Sequence, residues 1–156
     1  MTFIGAFLPN VEVTVTPNFV GSLSSEYSFT LENLSTEIPS DGVLSITFPE
    51  TFSVPNDLHI IPFQGLGSKF TPTLSILGNT ITVLNGAPYS QNKISFLIFQ
   101  EDPNLQSIIP LTNQTGFLQL QTRHSNNNVI DYNDSVPISI LPRNLDSKKS
   151  LLFIFI

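Results

Sequence analysis

The chain has 156 residues, 12 of them acidic and 6 basic, for a formal net charge of −6. Apolar residues make up 40% and charged residues only 12%, about half of the usual ~25% charged share, which excludes a disordered chain and leaves nucleic acid without a phosphate-binding footprint. Cysteine is absent and alanine occurs twice, which excludes disulfide scaffolds and thiolate chemistry and argues against a helical bundle.

Residues 1–8 are apolar, too short for a secretory h-region and without a basic residue ahead of them. From there, proline and glycine punctuate short runs with period-two alternation, the mark of half-buried strands. Val11, Val13 and Val15 alternate with Glu12, Thr14 and Thr16 until Pro17-Asn18. Tyr27, Phe29 and Leu31 alternate with Ser28, Thr30 and Glu32. Pro39-Ser40-Asp41-Gly42 reads as a turn, and Leu44, Ile46 and Phe48 then alternate with Ser45 and Thr47 until Pro49. Residues 58–63 form a short strand that Pro62 confines to an edge or a bulge. The clearest hairpin joins 73–77 to 80–84 through Gly78-Asn79, a pair suited to positive φ. Residues 93–100 are apolar on both faces, as a central strand is. Residues 116–123 alternate again, Asn126-Asn127-Asn128 turns, and 129–132 and 136–141 supply two last short strands.

Eight or nine strands and no amphipathic helix predict an all-β fold: an antiparallel two-sheet immunoglobulin-like sandwich with apolar terminal tails. The expected organisation is a tail or strand at 1–8, the sandwich at 9–142, and a linker with an apolar tail or strand at 143–156. Leu151, Leu152, Phe153, Ile154, Phe155 and Ile156 follow Lys148-Lys149. Six apolar residues cannot span a bilayer, which needs about 20. They are the cut end of a longer anchored protein, a strand for this domain or a neighbour, or a disordered or artefactual end.

Three segments carry a resemblance. They are Val13-Thr14-Val15-Thr16-Pro17-Asn18-Phe19-Val20-Gly21, Ser25-Glu26-Tyr27-Ser28-Phe29-Thr30-Leu31, and Ile38-Pro39-Ser40-Asp41-Gly42-Val43-Leu44-Ser45-Ile46-Thr47-Phe48-Pro49. Together with residues 116–140, they resemble an immunoglobulin-like module repeated in large extracellular surface proteins of protists and in prokaryotic surface-layer and adhesin-like proteins. The resemblance covers about two-thirds of the chain, and its motifs are structural. It implies a sandwich fold, an extracellular or cell-surface setting, and tandem sister domains as partners.

Three sequons make Asn33, Asn113 and Asn133 glycosylation candidates, at strand ends or loops where a glycan projects. In a chain with 18 Ser, 14 Thr and 14 Asn, two or three sequons arise by composition alone. Asp131, Asn133 and Asp134 gather hard oxygens of the kind calcium takes, but without EF-hand spacing, so a solvating Asx turn is the simpler reading. Glu101-Asp102 reads as a solvated loop. His59 and His124 stand far apart with no nucleophile or zinc motif around them. Gly65-Leu66-Gly67-Ser68-Lys69 lacks the phosphate-loop spacing. The 13 Phe of a Trp-free chain are expected in the core.

No catalytic residue and no cofactor is expected. A glycosidase would need two carboxylates facing each other across a cleft, and the acids here fall in turns and on polar strand faces. The expected function is a structural, self-associating extracellular module, a subunit of a surface coat or glycosylated filament. It would assemble with copies of itself by strand donation through a terminal tail. The assembly candidates are Phe3, Ile4, Phe7, Leu8 and residues 151–156. The alternative is an adhesion or glycan-binding module using loops at one end.

Overall fold

The computed structural model describes residues 5–35, 38, 41–66, 72–84, 93–112 and 116–142. Among them are twelve strands and no helix: β1 (Ala6–Phe7), β2 (Asn10–Thr16), β3 (Glu26–Glu32), β4 (Val43–Thr47), β5 (Phe52–Ser53), β6 (His59–Gln64), β7 (Thr73–Leu77), β8 (Thr80–Leu84), β9 (Lys93–Phe99), β10 (Ile109–Pro110), β11 (Gly116–Arg123) and β12 (Val129–Ile138). No described helix is long and apolar enough to cross a membrane. The expected eight or nine strands are the nine longer ones. The additional three, β1, β5 and β10, are two-residue pairings with no alternation to reveal them.

The strands form a sandwich. One sheet runs β1-β12-β11-β4-β8-β7, the other β2-β3-β9-β6, and β10-β5 is a small pair of its own. Every pairing is antiparallel except β1 with β12, which is parallel. The alternation read in the sequence decides what enters the core. Tyr27, Phe29 and Leu31 of β3, with Ile94, Phe96 and Ile98 of β9, face Leu44 and Ile46 of β4, Ile81 and Val83 of β8, and Leu118 and Leu120 of β11. Phe29 stacks on Phe96 with ring centroids 5.0 Å apart, and Tyr27 meets Phe48 edge-on at 5.6 Å. The Tyr27 hydroxyl donates to the Ile108 carbonyl (3.2 Å), and burial pushes its phenol pKa upward.

The β7–β8 hairpin turns at Gly78 and Asn79. Gly78 has φ +58°, and its position is open, so the need for glycine here is conformational. Asn79 anchors the turn by donating its side-chain amide to the carbonyls of Pro49 (2.9 Å) and Phe52 (3.1 Å). β6 is an edge strand with a bulge between Pro62 and Gln64, so Pro62 meets both of its expected roles.

Two expectations need correction. The last two short strands are one continuous strand, β12, bent by an irregularity near its middle. Pro137, which lacks an N–H, lies opposite Phe117 where β12 pairs with β11 alone, so it does not break the ladder. The phenylalanines also divide. Phe29, Phe48, Phe52 and Phe96 are buried, whereas Phe7, Phe19, Phe63 and Phe117 are exposed. Apolar character permits burial but does not impose it, because polar groups cannot cover the whole surface.

Candidate functional site

The seam between β1 and β12 brings together residues that the sequence kept apart. The chain enters along β12, with Ala6 opposite Asp131 and Phe7 opposite Tyr132. Leu8 is fully buried in the core. The Leu8 N–H donates to the Tyr132 carbonyl (2.8 Å), and the Leu8 carbonyl accepts from Asn133 Nδ2 (2.9 Å). Both backbone groups of the plug residue are therefore satisfied by β12. Gly5 lies hard against the same strand: a Cβ there would sit 2.7 Å from Val129 Cγ1 and 3.0 Å from the Ile130 carbonyl. Only Leu8 and Pro9 separate β1 in the six-stranded sheet from β2 in the four-stranded one.

A buried polar cluster backs the seam. Asp131 Oδ1 accepts from the Ser35 N–H (3.2 Å), and Oδ2 accepts from the Thr122 hydroxyl (3.4 Å). The Thr122 hydroxyl oxygen in turn accepts from the Asp131 N–H (3.0 Å). Asn133 Oδ1 accepts from the Ser135 N–H (2.9 Å). These contacts tie Ser35, just past β3, and Thr122 of β11 to the middle of β12, where β1 pairs.

This geometry revises two sequence readings. Asn133 is buried and its amide nitrogen holds Leu8, so in the folded domain that nitrogen is not presented to a glycan. The oxygens of Asp131 and Asn133 are occupied by protein donors, while Asp134 is exposed, so the three do not form an open oxygen cage for calcium. Asn33 is exposed at the end of β3, with φ +59° in the left-handed region that asparagine tolerates. Asn113 lies outside the described residues, as do Phe3, Ile4 and residues 151–156. Of the assembly candidates, Phe7 is 58% exposed and rests edge-on against Tyr132, with ring centroids 5.9 Å apart, and Leu8 is the buried plug. His59 pairs with Glu101 at 3.6 Å on the surface, and Asp102 caps a loop by accepting from the Asn104 N–H (2.8 Å).

No family model and no curated protein sequence matches the chain. Several solved structures are similar to it. A cohesin module from a family 33 glycoside hydrolase of Clostridium perfringens is 12% identical, covers 87% of this chain and 98% of its own, and superposes with a TM-score of 0.51. The major pilin subunit of Bacillus cereus is 9% identical over 85% of this chain and 40% of its own, at a TM-score of 0.49. BslA, a bacterial hydrophobin, is 16% identical over 89% of this chain and all of its own, at 0.46. The chain is an all-β, immunoglobulin-like sandwich, and the resemblance noted in its sequence holds at that level.

The Leu8–Asn133 contact is what sequence reading missed. Leu8 stands out in the sequence for its apolarity and Asn133 for its sequon, but 125 positions separate them. No local pattern links them.

Proposed function

We propose that the chain is a non-enzymatic structural module of a cell-surface or extracellular assembly, and that it self-associates by exchanging its first strand between copies. The observation that carries this reading is the seam. β1 is a two-residue strand held through one buried side chain, and every contact it makes to β12 can be made identically by β1 of a second copy. A connection as short as Leu8-Pro9 between two sheets favours exchange over closure. If exchange does not close into a ring it propagates into a filament. The sparsely charged exterior, rich in hydroxyls and amides, supports an extracellular setting, and a glycan at Asn33 would project from the end of β3.

The absence of cysteine makes the test clean. Phe7→Cys and Tyr132→Cys are made in separate chains and mixed under oxidising conditions. Exchange predicts disulfide-linked heterodimers, because positions 7 and 132 face each other across the seam. Association without the mixed disulfide overturns exchange. Monomers at high concentration overturn self-association as well.

A further inference from the structure

The outward face of the six-stranded sheet has a chemistry of its own. Alternation on β4, β8 and β11 turns Ser45, Thr47, Thr80, Gln119, Gln121 and Arg123 away from the core, where they line a groove of about 230 Å³. Among the described residues no carboxylate lines it. Thr47 and Thr80 share a hydroxyl–hydroxyl hydrogen bond of 3.1 Å across β4 and β8. Arg123 reaches over β4 and donates from Nη2 to the buried Ser45 hydroxyl. Its Nε is buried without a hydrogen-bond partner. His59 pairs with Glu101 and Lys93 with Glu32, and among the described residues no carboxylate pairs with the Arg123 guanidinium.

An always-charged guanidinium with no carboxylate partner among the described residues, in a groove whose described lining holds no acid, is a receptor for an anion, met through the Nη atoms because Nε is enclosed. The surroundings narrow the anion's carrier. Register sets Tyr132 beside Gln121, and Phe7 beside Tyr132, on the same row of the sheet. An aromatic shelf thus leads into a run of amides and hydroxyls. Aromatic rings take the apolar faces of sugars, and amides and hydroxyls take their hydroxyl groups. From β12 to β7 the row crosses four strand intervals, about 19 Å at ~4.8 Å each, which is room for several linked sugars.

We propose that this face binds a uronate-containing polysaccharide. Arg123 takes a carboxylate, Gln119, Gln121 and Thr80 take ring hydroxyls, and Tyr132 supports an adjoining sugar. The groove itself is made by β4, β8 and β11, which strand exchange leaves in place, and it lies on the sheet face, away from the loops. The overall negative charge of the chain does not forbid it, because repulsion beyond about 8 Å is screened at physiological salt.

The test compares polygalacturonate with its methyl-esterified, uncharged form on the full chain by titration calorimetry. Polygalacturonate should bind, and esterification should weaken binding about tenfold or more. Arg123→Gln should weaken polygalacturonate binding by a similar factor, and so should Arg123→Lys, which keeps the charge but loses the fork, with a cooperative melting curve showing that each variant is folded. Gln121→Ala should weaken it several-fold. Equal binding of ester and acid, or binding indifferent to Arg123→Gln and Gln121→Ala, overturns the proposal, as does no binding at all. If Arg123→Gln does not fold, the ester comparison and Gln121→Ala decide the question.

Discussion

The two edges of the six-stranded sheet are built in opposite ways. At one edge, β7 is delivered by a two-residue turn from its partner β8, and the turn is pinned by Asn79 to the Pro49–Phe52 loop. Its outermost apolar residue, Leu77, is 85% exposed and adds little to the core. At the other edge, β1 arrives from a distant part of the chain, pairs over two residues, and depends on Leu8 and its polar clasp. An edge closed by a local turn costs little entropy to form and cannot be handed to another molecule without opening the hairpin. An edge closed by a distant strand is held by a few strong contacts, and those contacts are transferable.

Four measurements break or sharpen this contrast. Leu8→Ala should cost about 2–5 kcal/mol in chemical denaturation, as buried Leu truncations do. Leu77→Ala should cost within about 0.5 kcal/mol, and equal costs would erase the distinction between the edges. Asn133→Ala leaves the buried Leu8 carbonyl without its donor and should cost about 1–3 kcal/mol. A change near zero there would mean that the clasp does not hold β1. At the hairpin edge, Gly78→Ala should cost about 1 kcal/mol from left-handed backbone strain alone, since an added methyl meets nothing within 4 Å.

A pH-dependent effect belongs to the core between the edges. Burial raises the Tyr27 phenol pKa in the folded state, so the folded protein holds that proton more tightly than the unfolded chain. Stability from this group is complete below the unfolded value near 10 and declines as pH rises above it. Tyr27→Phe should flatten that alkaline decline while costing about 0.5–1.5 kcal/mol for the lost bond to Ile108. An unchanged decline would assign it to another group.

The sequence made the local features legible. The Gly78-Asn79 hairpin, the two-sided apolar β9 and the edge position of β6 follow from turn chemistry, periodicity and proline. What it hid was non-local. β12 read as two strands because Asn133, Asp134 and Ser135 interrupt its apolar pattern, yet Asn133 is buried for the sake of Leu8. The parallel β1–β12 pair and the two-residue β5 and β10 leave no periodic trace. The residues of the candidate site were therefore named singly, for apolarity, a sequon and calcium, and only the fold joined them.

The parallel seam also has a mechanical consequence. Tension along the chain through this domain pulls β1 backward and β12 forward, because the two strands run in the same direction. A second parallel contact joins Phe19 to Leu141, with the Leu141 N–H donating to the Asn18 carbonyl and the Leu141 carbonyl accepting from the Val20 N–H. Such a load shears these bonds together instead of unzipping them one by one. The seam is thus stiff to a pull along its length while remaining open to sideways exchange.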